Sequence, residues 1–97
     1  MNGAVAGYNR VLDPTAKLAD MRSDDVAFWE TDEKHPNYFN DGASYPKEGV
    51  SARHELGAIN AAFGGQVSFI KIDAWYLAVA ETNRNFLWCY PGSLDGR

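Results

Sequence analysis

Gly57-Ala58-Ile59-Asn60-Ala61-Ala62-Phe63-Gly64-Gly65-Gln66-Val67-Ser68-Phe69-Ile70-Lys71 holds two sheet-forming runs joined by paired glycines. Glycine accepts the positive φ of a two-residue hairpin turn without steric cost. The stretch predicts strands over 57–63 and 66–71 with Gly64-Gly65 as the turn. That register sets Phe63 against Gln66, Ala61 against Ser68 and Ile59 against Ile70 on one face. Ala62 then faces Val67, and Asn60 faces Phe69, on the other. Small Ala61 and Ala62 leave room for a close neighbour.

Working outward, Asp73 is placed to cap a helix running to about Asn83. Trp75, Ala78, Val79 and Thr82 fall on one stripe of it by 3.6 spacing. Phe86-Leu87-Trp88-Cys89-Tyr90 is an aromatic run stopped by Pro91-Gly92, either a last strand or an anchored tail, and Ser93 to Arg97 reads as frayed. On the other side, Val26 to Thr31 is β-branched and aromatic and predicts a strand. Lys17 to Arg22 suits a helical turn, Asp13-Pro14 a turn start, and Val5–Tyr8 a short strand. Residues 32–52 have no periodicity and carry the turn signals His35-Pro36-Asn37, Asn40-Asp41-Gly42 and Tyr45-Pro46, so they predict one long loop. The expected architecture is a single domain over 1–97, of α+β class, with a small antiparallel sheet and a short helix. Phe28, Trp29, Phe63, Phe69, Leu77, Val79 and Leu87 are its expected core, with Trp75 covering part of the hairpin.

The 97 residues carry 45% hydrophobic and 23% charged side chains, the balance of a folded domain. Net charge is −4, which disfavours nucleic acid, whose phosphates are bound by Lys and Arg. The charge lies in the first half: residues 1–48 hold nine acids and five bases, and residues 49–97 four of each. A single cysteine, Cys89, excludes an internal disulfide and reads as a small buried hydrophobe. The longest apolar run, Ala74 to Ala80, is far below the roughly 20 residues a bilayer span needs. Met1 to Gly7 lacks the charged start of a signal peptide. Phosphate loop, dinucleotide fingerprint and nucleophile elbow are all missing from the sequence, and His35 and His54 are its two histidines, so a non-catalytic protein without a cofactor is expected.

Arg53-His54, followed by Gly57 to Val67, resembles the signature of the prepilin-type processing-associated H-X9-DG domain proteins. That signature is a His, nine residues, then Asp-Gly. Here nine residues, Glu55 to Phe63, separate His54 from Gly64-Gly65. Met1-Asn2-Gly3, Val26 to Thr31 and Trp88 to Ser93 are similar to further segments of that family. The resemblance implies the globular head of a type II secretion pseudopilin or type IV pilin relative, without the long N-terminal helix. It also implies other pilin-like subunits or secretion machinery as partners and an extracytoplasmic location, in the periplasm or at the cell surface.

Gly64 replaces the family's Asp. Glycine keeps the turn geometry but removes any metal ligand there. Strand residues advance about 3.3 Å each, so His54 is expected roughly 30 Å from Gly64 along an extended segment. The extended register places His54 near Asp73 and Trp75. Some pseudopilin heads are similar in binding calcium, an ion that takes six to eight oxygens. Asp32, Glu33, Asn40 and Asp41 are the candidate ligands for it here. Trp75 and Trp88 are candidate interface residues. With Trp29 they also define the alternative reading, a carbohydrate-binding or adhesion module, which requires coplanar exposed rings.

Overall fold

A computed structural model describes residues 1–6 and 16–97. Its centre is a three-stranded antiparallel sheet in the order β1 (Val26–Trp29), β2 (Gly57–Ala62), β3 (Val67–Lys71). A four-residue helical turn, α1 (Gly3–Ala6), precedes the sheet, and α2 (Ile72–Ala80) follows β3 without a loop. The chain is thus α+β with a small antiparallel sheet.

The hairpin forms, but its register is one residue away from the expected one. Ala58 pairs with Ile70, Ile59 with Phe69, Asn60 with Ser68 and Ala61 with Val67. The Gly65 N–H donates to Ala62 O at 3.0 Å, and the Ala62 N–H to Gln66 O at 3.0 Å, leaving Phe63, Gly64 and Gly65 as a three-residue loop. Only Gly65 of the glycine pair takes a positive φ, +91°. A tight turn followed by one left-handed glycine is the three-residue hairpin solution. Gly64 serves space instead: a Cβ there would lie 2.6 Å from Ser23 O and from Gln66 Oε1.

A one-residue slip moves side chains to the opposite face. Ala58 and Asn60 are buried on the inner face, while Ile59, Val67 and Phe69 point outward. A bulge in β1 adds to this. Val26 pairs with Ala62, Phe28 with Ala61 and Trp29 with Asn60, so Ala27 is the extra residue. Val26 and Trp29 therefore both reach the core, and Phe28 is turned outward. The expected core is corrected accordingly: Phe28, Phe69 and Leu77 are exposed, Phe63 is half-buried, and Leu87 is fully buried. The core is Val26, Val50, Ala58, Trp75, Ala78 and Leu87, with Trp29, Ile70, Ile72, Val79 and Phe86 packed against it.

α2 begins earlier and ends earlier than the sequence suggests. Lys71 is its N-cap and Asp73 lies inside the first turn, where an acid favours the helix dipole. Asn85 terminates it: its Nδ2 donates to Ala78 O at 2.7 Å, and its Oδ1 accepts from the Leu87 and Trp88 N–H groups, each at 2.9 Å. The aromatic run 86–90 is consequently an anchored tail and not a strand. Ser93 to Arg97 is not frayed. Leu94 O accepts from Arg84 N, Gly96 O accepts from Tyr90 N, and the Arg97 guanidinium sits 4.2 Å above the Trp88 ring.

At the other end, Val5 belongs to α1 and not to a strand, and Gly7, Tyr8 and the Asp13-Pro14 turn lie outside the described residues. Within 17–22 the helical turn is a 3-10 turn, Leu18–Asp20. The 32–52 stretch holds two more, Pro36–Tyr38 and Pro46–Glu48, and buries Ser44, Pro46, Val50 and Ser51. Fully buried Asn2 ties these parts together. Its Nδ2 donates to Val26 O at 2.8 Å and Leu87 O at 3.0 Å, and its Oδ1 accepts from Ala4 N as the cap of α1.

Candidate functional site

Phe28 from β1, Ile59 from β2 and Val67 and Phe69 from β3 share the outer face of the sheet. Phe28 is 57% exposed, Val67 67%, Phe69 47% and Ile59 36%. The Phe69 ring crosses the sheet and lies where a Cβ on Gly57 would sit, which fixes the ring against the face while leaving it open to solvent. Side chains of this size and exposure open about 300–400 Å² of apolar surface, the scale at which patches on monomers are often functional.

Charged groups close one end of this face. His54 does not approach Asp73 or Trp75 as expected; it is exposed, and its Nε2 lies 3.0 Å from Glu30 Oε1. The other Glu30 oxygen accepts the Ile59 N–H at 2.8 Å. That backbone bond, then the bond to His54, holds the Glu30 carboxyl below its ordinary value. Gly64 lies at the opposite end of β2, its N–H donating to Ser23 O. His54 and Gly64 therefore do not share a site.

The candidate calcium ligands are used separately. Asp32 Oδ1 accepts the Lys34 N–H and Asp41 Oδ1 the Ala43 N–H, each closing its own turn. Glu33 Oε2 accepts the Ser51 hydroxyl at 2.7 Å, and its other oxygen lies 3.9 Å from Arg53. Asn40 is exposed. No group of three or more His, Cys, Asp or Glu side chains suited to a metal occurs among the described residues.

Trp75 and Trp88 are interior, which corrects their assignment to an interface. Trp75 is fully buried and donates from Nε1 to Pro46 O at 3.0 Å; Trp88 donates to Val79 O at 3.0 Å. Trp29 packs on Trp75 at 5.0 Å with the rings tilted by 59°. These rings satisfy the core and do not form a flat exposed platform. Cys89 is buried, and desolvation pushes its thiol up to about 12, so it stays a thiol at neutral pH.

Sequence reasoning missed the buried pair Asp25–Arg84. Arg84 Nη2 lies 2.6 Å from Asp25 Oδ2 and also donates to Cys89 O at 2.9 Å. Asp25 Oδ2 accepts the Arg22 N–H, and Asp25 O accepts the Phe63 N–H. The pair thus locks the start of β1 to the hairpin loop and the C-terminal tail. No spacing rule joins two residues so far apart in sequence.

No family model, curated protein or solved structure matches this chain. What the site can do must follow from its own surface. The face is apolar, and at its rim the Glu30 carboxylate bridges the His54 ring and the Ile59 N–H of β2.

Proposed function

We propose that the chain is a non-catalytic structural or assembly subunit of the pilin-like kind, making contact through the outer face of its sheet. The observation that carries the reading is the exposure of Phe28, Ile59, Val67 and Phe69 on one face while Trp75 and Leu87 fill the other side. A sheet face left apolar in this way has use as a contact surface. Two segments of the resemblance also meet: Glu30, from the strand segment, pairs with His54, from the signature. Asn2, from the Met1-Asn2-Gly3 segment, holds β1 to the tail. These contacts support a structural role for the signature residues. On this reading the partners are other pilin-like subunits or secretion machinery, and the location is extracytoplasmic. The carbohydrate-binding alternative has less support, because the three tryptophans do not offer coplanar exposed rings.

Placing a photo-cross-linking amino acid at position 28 in the cells that make the protein tests this. Adducts with a pilin-like or secretion subunit are expected. Adducts with no such protein, or none at all, would overturn the reading.

A further inference from the structure

The two edges of the sheet differ. The β1 edge is covered: Asn2 N–H donates to Ala27 O, Val26 N–H to Phe86 O, and Ser51 N–H to Glu30 O. The β3 edge is bare among the described residues. Because Ala62 and Gln66 form a hydrogen-bonded pair, the alternation of an antiparallel ladder turns the peptide groups of Gln66, Ser68 and Ile70 toward β2. Those of Val67 and Phe69 point away from the sheet, and no group among the described residues meets them. An open row of N–H and C=O groups is a template for another strand. Val67 and Phe69 also carry the outer-face side chains of β3, so backbone and apolar surface are presented at the same positions.

We propose that β3 pairs antiparallel with β3 of a second copy of this chain, about a two-fold axis at Ser68. This edge adjoins the outer face proposed above, and the pairing, which extends that face, rests on that reading. In this register Val67 faces Phe69 of the other copy and Phe69 faces its Val67. Each unpaired N–H then finds a carbonyl, giving four hydrogen bonds, and the outer faces join into one apolar stripe across six strands. A two-fold contact requires such a self-complementary patch. Lys71 falls opposite Gly65 of the other copy, so the two lysines do not confront each other. Charge favours the same edge. The protein carries −4 overall, yet residues 56–72 contain no Asp or Glu, and Lys71 is their one charge. Here two copies approach without opposing carboxylates.

The test combines light scattering over a concentration series with amide exchange. Val67→Pro removes only an outward N–H and leaves the bonds to β2 intact. Phe69→Lys sets a charge into the paired stripe. The wild type is expected to show a dimer fraction rising with concentration, with Val67 and Phe69 amides protected at high concentration and exposed on dilution. Both variants are expected to stay monomeric with unchanged far-UV circular dichroism. A wild type monomeric up to millimolar concentration, or a dimer that survives both variants, or one with both amides unprotected, would overturn the pairing. A monomer that still yields pilin-like adducts from position 28 removes the strand pairing and keeps the assembly reading. A dimer lost in both variants, with no such adduct, keeps the pairing and removes that reading.

Discussion

Asp25 is 1% exposed and shares its carboxylate between Arg84 and the Arg22 N–H, so removing either member of the ion pair strands a charge in the interior. Breaking one partner of a buried pair costs about 3–5 kcal/mol. Asp25→Ala and Arg84→Ala are each expected to lower the unfolding free energy measured in urea by that much, with the double variant less damaging than the sum. Glu30 adds a pH dependence of definite sign. Its folded carboxyl lies below the ordinary value of 4.5, held there by Ile59 N–H and then His54. A depressed acid stabilises the fold above its unfolded value, and the contribution is lost as pH falls through the folded one. Resistance to urea should therefore fall as the pH drops below 4.5, and Glu30→Gln should flatten that slope. None of this was legible from spacing: Glu30 and Asp25 stand in an acidic stretch whose members look alike until the fold selects two of them.

Strand existence was readable where local chemistry decides it. The hairpin follows from paired glycines between β-rich runs, and Val26 announces β1. Facing was not readable, because it turned on two single-residue events. One is the loop of three residues instead of two, in which Gly64 clears Ser23. The other is the bulge at Ala27, which has no glycine or other mark in the sequence. Substitution measures the result. Trp75→Ala, at a fully buried ring, is expected to cost about 3–5 kcal/mol in denaturant unfolding. Phe69→Ala should cost only about 1–1.5 kcal/mol, as for a half-buried side chain. The loop gives a second contrast. Gly65→Ala forces a side chain into positive φ and should lose about 1–2 kcal/mol. Gly64→Asp, which would restore the residue the signature carries, should lose stability through the contact with Ser23 O and should not be rescued by calcium.

Across the whole molecule the acids gather in the first half and the bare edge lies in the second. Like net charge repels two copies at long range, and salt shortens that range to about 10 Å at 0.1 M. The dimer fraction at fixed protein concentration is accordingly expected to rise between 20 and 300 mM NaCl by scattering; a fall would mean that attraction between charges holds the copies together. Asn2 adds a constraint in time. It precedes Leu87 by 85 residues, yet Leu87 O is one of its acceptors. Synthesis runs at about 5–20 residues per second. Until the tail has left the ribosome, the Asn2 amide has no interior to enter, and the strand backbone at Val26 waits with it. Folding of this domain thus waits until Leu87 has been made, and a ribosome stalled before Leu87 would hold a nascent chain still open to proteases.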